Sequence, residues 1–200
     1  MKLYLIRHGE TDWNRLLRFQ GREDIPLNEN GIRQAKASGL ALAQTGIKAV
    51  FTSPLKRARQ TGEIIAAAAG LPSQAVFNLP ELIERDLGEY SGQYIKDRSD
   101  YFSLSAGSDI GGMEPFEQVL ARMELALKKL SETRIPVLAA VSHGAAINVL
   151  LAGLSGHTMG TGKTRLLNGG ISIIEGDEGR GFSITSCNLS PDALRSLKSD

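Results

Sequence analysis

Short apolar runs alternate with amphipathic stretches along this chain, and that alternation limits the folds open to it. Residues 2–6, 49–52 and 136–141 are mainly apolar runs of strand length, whereas residues 28–44 and 116–130 carry apolar side chains at helical spacing. Alternating strands and helices are typical of an α/β domain, in which helices cover a central sheet. We therefore predict a three-layer α/β/α sandwich with a mostly parallel sheet, helices on both faces and a small lid insertion.

The first two predicted helices have recognisable ends as well as apolar faces. Asn28 is a suitable N-cap for a helix that runs to about Gln44. Ser53 and Pro54 are expected to be the N-cap and first residue of the second helix, and Gly70 its stop. The positions expected to face the core are Ile32, Ala35, Gly39, Leu40 and Ala43 in the first helix, and Leu55, Ala58, Gly62, Ile65, Ala66 and Ala69 in the second.

The rest of the chain continues this pattern. The run at 136–141 does not alternate with polar residues, which is typical of a central strand covered on both faces. The long helix before it should bury a stripe formed by Phe116, Val119, Leu120, Met123, Leu127 and Leu130. The other predicted elements are strands at 75–79, 171–175 and 182–186, the last two forming a hairpin, and helices at 145–154 and 191–197.

Length and composition fit a single domain over residues 1–200. The chain is 42% hydrophobic and 22% charged, which is ordinary for a protein with a buried core. Residues 87–115 include a polar stretch rich in Gly, Ser and Asp, which we interpret as the lid insertion. The formal net charge of +1 argues against a nucleic-acid partner, because such partners usually require a basic face.

Cysteine content and apolar run lengths bear on the cellular environment. Cys187 is the only cysteine, so neither an internal disulfide nor a multi-cysteine metal site can form. The N-terminal apolar run ends at Arg7, too early for a signal peptide, and no other run approaches the length of a bilayer span. We therefore expect a cytoplasmic protein that does not associate with membranes.

Reactive side chains follow three of the predicted strands. Arg7 and His8 end the first strand, Arg57 comes shortly after the second, and His143 ends the central strand. Ligands of open α/β sheets bind beyond the carboxyl ends of the strands, so these groups should meet. A neutral imidazole is a nucleophile, and guanidinium groups match the geometry of phosphate. Arginine would repel a metal ion, so the set favours phosphoryl transfer without a metal.

The segments that contain these residues resemble the histidine phosphatase superfamily, the phosphoglycerate-mutase-like proteins. Four motifs occur in the family's order, over about residues 3–175. They are residues 5–14 (LIRHGETDWN), 53–61 (SPLKRARQT), 84–92 (ERDLGEYSG) and 141–144 (VSHG). Residues 110–117 depart from the family pattern, with Met113 inserted and Pro115 in place of the usual Ser, so the helix cap there is not predicted.

The resemblance implies a role for each residue of the site. His8 would be the nucleophile that forms a phosphohistidine, and Glu84 would give a proton to the leaving oxygen. Arg7, Arg57 and His143 would stabilise the phosphoryl oxygens. The expected substrate-binding residues are Arg7, Asn14, Gln20, Gly21, Arg57, His143 and Gly144. The reaction would need neither a metal nor another cofactor, because arginine and histidine supply the charge stabilisation.

Several of these residues also have simpler interpretations. Arg57 could be a solvated helix residue, and charge patterning alone does not select Glu84 over Asp86 or Glu89. His157 should be exposed. Residues 160–164 (GTGKT) do not qualify as a P-loop, because the spacing is wrong and the segment follows a predicted helix.

The implied activity is a metal-independent phosphatase acting on a small phosphorylated metabolite, whose distal group Lys163 or Arg165 could contact. A phosphoglycerate mutase is one alternative. The mutases of the family resemble longer chains with a large insert between the positions of Glu84 and His143, and this chain has no such insert. An α-ribazole phosphatase and a non-catalytic phosphate-binding protein are the others. No residue in the sequence selects the ester or the oligomeric state.

Overall fold

The computed structural model describes residues 1–97 and 111–197, in which a six-stranded sheet lies between two layers of helices. The strands are β1 (Lys2–Arg7), β2 (Val50–Thr52), β3 (Val76–Asn78), β4 (Val137–Ser142), β5 (Ile171–Asp177) and β6 (Gly181–Leu189). The helices are α1 (Asp12–Arg15), α2 (Glu29–Leu42), α3 (Lys56–Ala68), α4 (Phe116–Glu132), α5 (Gly144–Leu154) and α6 (Pro191–Ser196).

The sheet brings the ends of three strands to one edge. Its order is β3-β2-β4-β1-β5-β6, with β3, β2, β4 and β1 mutually parallel and the β5–β6 hairpin antiparallel. Arg7 lies opposite Ser142, and Thr52 lies opposite Val141. The three segments that follow β1, β2 and β4 therefore leave the sheet next to one another. The predicted α/β fold with a mostly parallel sheet is confirmed, and β4 has neighbours on both sides as expected.

Strand β1 shows how the sheet separates two cores. Leu3 and Leu5 belong to the cluster that packs against α4 and α5, whereas Tyr4 and Ile6 belong to the cluster against α2 and α3. Successive side chains of a strand point to opposite faces, so an uninterrupted apolar run serves both cores. The layers of helices on the two faces match the predicted sandwich.

Helix α2 corrects the predicted core face of the first helix. Ile32 and Leu40 are 48% and 49% exposed, and Ala43 is also exposed. The buried face instead consists mostly of small residues, and a Cβ atom on Gly39 would lie only 2.7 Å from Ala68 Cβ of α3. Small residues allow two helices to approach closely. Close packing therefore selects this face rather than the one with the larger apolar side chains.

The start of α3 also differs from the prediction. The helix begins at Lys56 with Leu55 at the N-cap, so Ser53 and Pro54 precede it. The Ser53 hydroxyl oxygen accepts from Leu55 N, ahead of the helix, at 3.3 Å and lies 2.7 Å from Nε2 of His143. Gly70 does follow the end of the helix, with a left-handed φ of +75°.

Most of the remaining elements lie within two residues of their predicted bounds. Strand β3 is shorter than predicted, because residues 73–75 form a 3₁₀ turn. Of the predicted lid, residues 98–110 lie outside the described residues. Two 3₁₀ turns, Gly88–Tyr90 and Ile95–Asp97, precede that gap. After it, Met113 is buried against Phe19, Leu87 and Tyr90, and Pro115 precedes α4 without capping it through a side chain.

Candidate active site

Two histidines and a serine meet where β1, β4 and β2 end. The backbone N–H of His8 donates to Ser142 O at 3.0 Å, and that of Ser53 donates to Val141 O at 3.0 Å. These bonds extend the ladder beyond the strands and hold the side chains that follow. The rings of His8 and His143 lie with their centroids 5.1 Å apart, as expected from the strand ends. Both side chains are buried.

His8 is held in a form suited to nucleophilic attack. Its Nδ1 lies 2.6 Å from Gly9 O, and a carbonyl oxygen only accepts, so Nδ1 carries the proton. The lone pair of the neutral ring is therefore on Nε2. Burial, followed by the charges of Arg57 and Arg7, holds the pKa of His8 well below 6.5, although the bond to Gly9 opposes this shift. The imidazole is consequently uncharged at neutral pH.

Glycine after His8 permits a close approach between the nucleophile loop and α2. A Cβ atom on Gly9 would overlap the carbonyl group of Gly31, and one on Gly31 would overlap Glu10 O. The N–H of Gly9 donates to Thr61 Oγ1 at 3.0 Å. The backbone beside His8 is therefore fixed from both α2 and α3.

Arg57 is a buried site residue rather than a solvated one. The residue is 1% exposed, and its guanidinium donates to Glu23 O at 2.6 Å, Gly21 O at 2.7 Å and His143 Nδ1 at 3.2 Å. Burial lowers its pKa to about 10, which leaves the group cationic at neutral pH. Gly21 therefore contributes its carbonyl oxygen to the orientation of Arg57.

His143 uses both ring nitrogens within the protein. Because Nδ1 accepts from Arg57, the proton of the neutral ring is on Nε2, which donates to Ser53 Oγ at 2.7 Å. Burial and the charge of Arg57 hold its pKa well below 6.5. A phosphoryl group that contacts His143 must replace one of these two partners.

The two depressed histidine pKa values predict how stability depends on pH. Unfolded histidine titrates near pH 6.5, so below that pH the unfolded chain binds more protons than the folded one. Stability should be full above about pH 6.5 and fall below it, by up to about 1.4 kcal/mol per pH unit for each histidine. Urea unfolding between about pH 5 and 8 measures this slope.

Substitutions assign that slope to individual residues. His8→Ala and His143→Ala should each flatten it, whereas replacing the exposed His157 with Gln should leave it unchanged. Equal slopes in all of these proteins would show that neither buried histidine stays neutral in the folded state.

Arg7 presents an unsatisfied donor beside the start of α5. Its Nη1 donates to Leu166 O at 2.6 Å, while its buried Nε has no partner within residues 1–97 and 111–197. A Cβ atom at Gly144 would lie in van der Waals contact with this Nε, at 3.5 Å, so the absence of a side chain leaves that face of Nε uncovered. Burial lowers the pKa of Arg7, the charge of Glu84 opposes that shift, and the charge of Arg165 adds to it.

Two side-chain amides surround Thr11 at the beginning of α1. Oδ1 of Asn14 accepts from Thr11 N at 3.1 Å and from Asn168 Nδ2 at 3.4 Å. Asn168 also donates to His8 O at 3.0 Å. Oε1 of Gln20 accepts from the Thr11 hydroxyl at 2.9 Å. With both amide oxygens engaged by the protein, the NH₂ groups of Asn14 and Gln20 are the ends that remain to bind an anion.

The structure distinguishes Glu84 from the acidic residues beside it. Its buried carboxylate accepts from Arg85 N at 2.9 Å, from Ala146 N at 3.0 Å and, through Oε2, from Ala145 N at 3.3 Å. These bonds place it at the N-terminus of α5. By contrast, Asp86 is partly exposed and Glu89 is exposed.

The charge of Glu84 raises the pKa of both Arg7 and Arg57, which indicates that its carboxyl group lies near both guanidinium groups.

The loop after α5 contains the other basic residues that the sequence suggested for substrate contact. Lys163 donates to His157 O at 2.6 Å, and His157 is exposed as predicted. The segment 160–164 follows α5, which agrees with its rejection as a P-loop. Of the two basic residues considered for a distal group, Arg165 is the one whose charge acts on the site.

Two residues that contribute to the site were not predicted. Ser53 is part of the segment SPLKRARQT, but its position before a proline suggested an N-cap instead. Asn168 belongs to none of the four motifs, and no sequence signal marks it. Its contacts with His8 and Asn14 arise only when the loop before β5 packs against the loop after β1.

Comparison with known proteins defines the class of this fold and site. The family model of the histidine phosphatase superfamily (branch 1) matches residues 3–190. The chain belongs to this superfamily. The sequence resemblance that suggested it is therefore confirmed.

Individual relatives cover most of the chain. It is 38% identical over 173 residues to the uncharacterized phosphatase PhoE of Bacillus subtilis (strain 168), which covers 86% of each protein. It is 35% identical over 164 residues to the probable phosphoglycerate mutase GpmB of Yersinia pestis (strain Pestoides F), covering 78% of this chain and 75% of the relative. A phosphoserine phosphatase from Entamoeba histolytica, in complex with phosphoserine, superimposes with a TM-score of 0.79, 28% identity and coverage of 94% and 97%.

Among the helices of the described residues, none is long and apolar enough to cross a bilayer. Within the same ranges, no three His, Cys, Asp or Glu side chains lie together as a group that could hold a metal ion.

Proposed function

We propose that this protein is a metal-independent phosphatase that hydrolyses small phosphate monoesters through a phosphohistidine at His8. The observation that carries the proposal is the state of His8. It is a buried, neutral imidazole whose Nδ1 proton is committed to Gly9 O, with Arg7 and Arg57 close enough to lower its pKa. A neutral nucleophile beside fixed positive charges suits attack on a phosphate dianion.

In the first step, Nε2 of His8 attacks phosphorus and the bond from phosphorus to the ester oxygen breaks. Nδ1 keeps its proton and continues to donate it in the hydrogen bond to Gly9 O. The leaving oxygen takes a proton from the carboxylic acid form of Glu84, which the second step regenerates. We assign that proton to Oε2, because Oε1 already accepts two backbone N–H bonds and Oε2 accepts one longer bond.

In the second step, water attacks the phosphohistidine and gives a proton to the Glu84 carboxylate. The bond between Nε2 and phosphorus breaks, which releases inorganic phosphate and restores neutral His8. The same carboxyl group thus acts first as acid and then as base. No step needs a metal, because the arginines oppose the charge that develops on the phosphoryl oxygens.

The remaining predicted residues are assigned to phosphate binding or to its support. The Nε of Arg7, which has no partner among the described residues, and the NH₂ groups of Asn14 and Gln20 would donate to phosphoryl oxygens. Arg57 and His143 would supply charge and a further donor. Gly21 would act through Arg57, whose guanidinium its carbonyl oxygen accepts from. Gly144 would act through Arg7, because it carries no side chain to cover the Nε of that residue.

Turnover of p-nitrophenyl phosphate in the presence of EDTA tests the proposal, with inorganic phosphate as the measured product. A panel of esters compared by kcat/KM would then identify the preferred substrate class, and should include phosphoserine, phosphoglycerates and α-ribazole phosphate. A mutase would transfer phosphate between phosphoglycerates faster than it releases inorganic phosphate. A non-catalytic binding protein would bind phosphate without releasing any from the panel.

The acid role of Glu84 predicts a dependence on the leaving group. Nitrophenolate departs without a proton, whereas a sugar alkoxide does not. Glu84→Gln should therefore lower kcat/KM for a sugar phosphate by about 10²-fold or more, and for p-nitrophenyl phosphate by less than about tenfold. Asp86→Asn and Glu89→Gln are controls that should leave the ratio of the two values unchanged. Equal losses on both esters in Glu84→Gln would remove the acid role from this residue.

A further inference from the structure

The segment that carries Glu84 has little regular structure to hold it. Residues 80–82 form a single 3₁₀ turn, and the chain then runs to Gly88 without a strand or helix. Ser142 Oγ holds the Leu82 carbonyl at 2.7 Å. Since no β-ladder fixes residues 83–86, other contacts must hold the backbone on either side of the carboxyl group.

Arg122 of helix α4 supplies contacts on the N-terminal side. Its Nη1 donates to Glu81 O at 2.9 Å and to Ile83 O at 2.5 Å. Its Nε and Nη2 donate to the two carboxylate oxygens of Glu114 at 2.7 and 3.0 Å. The side chains of Arg122 and Glu114 are only 15% and 9% exposed. The Arg122 guanidinium therefore joins the Glu84 segment to a partly buried ion pair.

Glu114 supplies contacts on the C-terminal side. Its Oε2 accepts from Asp86 N at 3.2 Å, and its own N–H donates to Asp86 O at 3.0 Å. Its carboxylate also pairs with Arg22 at 3.3 Å, and Arg22 Nε donates to Glu84 O at 3.2 Å. Arg122, Glu114 and Arg22 thus form one charged cluster. This cluster bonds the backbone carbonyls of residues 81, 83 and 84, and both the N–H and the carbonyl of Asp86.

The charge state of Glu114 keeps this cluster intact. Burial alone would raise its pKa, but the bonds and charge of Arg122, with the Asp86 N–H and Arg22, hold the pKa below its usual value. The carboxylate is therefore ionised at neutral pH. A bidentate pair between arginine and carboxylate has a fixed geometry as well as a charge.

We infer that Arg122 and Glu114 are positioning residues that orient the Glu84 carboxyl group for proton transfer. The inference rests on the acid role proposed for Glu84. Neither residue needs to touch the substrate, because both act through the backbone on either side of Glu84. Displacement of a catalytic group by about 1 Å can cost about 10²-fold in rate. The loss should be confined to esters whose leaving oxygen needs a proton.

Two variants test the pair through that selectivity. Arg122→Met removes the guanidinium, and Glu114→Gln removes the charge while keeping the side-chain shape. Each should lower kcat/KM for a sugar phosphate by about tenfold or more relative to p-nitrophenyl phosphate. Arg122→Lys should fall between Met and wild type, because an ammonium group can hold a carbonyl but cannot form the fork.

A double variant separates positioning from general damage. If Arg122 acts only through Glu84, adding Arg122→Met to Glu84→Gln should cause no further change in the ratio between the esters. Lys129→Met is the matched control. Lys129 lies on the same helix and donates to the side chain of Glu81 at 2.5 Å, whereas Arg122 donates to the Glu81 backbone carbonyl.

The possible outcomes are distinct. If Glu84→Gln shows no dependence on the leaving group, the proposed acid role fails, and the inference fails with it. If Glu84→Gln shows the dependence but the Arg122 and Glu114 variants lower both esters equally, the inference alone is overturned. An Arg122→Met protein that does not fold, judged by thermal unfolding, shifts the test to Arg122→Lys and Glu114→Gln, which retain hydrogen-bonding groups.

Discussion

His8→Ala should abolish turnover and covalent labelling together, whatever ester is supplied. His8 alone carries the phosphoryl group between the two half-reactions, so no other residue can complete the cycle. Wild-type protein quenched during turnover of a labelled ester should carry a phosphoryl group that is labile to acid and stable to base, as expected for phosphohistidine. The variant should carry none. Loss of activity should exceed that of any other single substitution in the site.

The control for this experiment is His157→Ala, because His157 is the one histidine that lies exposed, outside the site. It should retain both labelling and turnover. His143→Ala adds a second comparison, since it should slow labelling without preventing it. Substantial turnover by His8→Ala would contradict the phosphohistidine mechanism, and labelling of that variant would assign the nucleophile to another residue.

The sequence predicted the parts of the fold that depend on local pattern. Between their terminal polar residues, strands β1 and β4 are apolar because both of their faces are covered, and this leaves a clear signal in an uninterrupted run. His8 and His143 follow these runs directly, so their meeting at the sheet edge follows from parallel strand pairing. Helix α4 was equally clear, since its stripe has a regular helical period.

Features that depend on packing between distant segments could not be predicted in this way. The buried face of α2 is set by how closely Gly39 approaches α3, which hydrophobicity does not encode, so Ile32 and Leu40 were wrongly expected in the core. Local charge did not separate Glu84 from Asp86 either. Their difference arises because α5 presents backbone N–H groups to Glu84 alone.

Arg57→Ala should lower kcat/KM by at least about 10²-fold, since removing one preorganised charge-stabilising group typically costs about 10²–10³ in rate. Three acceptors lose a bond with it, namely Gly21 O, Glu23 O and His143 Nδ1. Stability should therefore fall as well, and activity must be measured at a temperature where the variant is folded. Arg59→Ala is the matched control, because Arg59 lies on the same helix but is exposed and pairs with Glu63 at 2.9 Å.

A pH profile distinguishes the catalytic effect of Arg57 from mere loss of packing. The charge of Arg57 lowers the pKa of both His8 and His143, so its removal should raise both values towards 6.5. The acid limb of kcat/KM should then move to higher pH, because His8 becomes protonated and unable to attack at a pH where the wild type is active. Arg57→Lys retains a charge but not the fork, so it should recover more of the pH profile than of the rate. An unshifted acid limb in Arg57→Ala would mean that burial and the charge of Arg7 keep His8 neutral without Arg57. Near-normal kinetics would instead return Arg57 to a structural role.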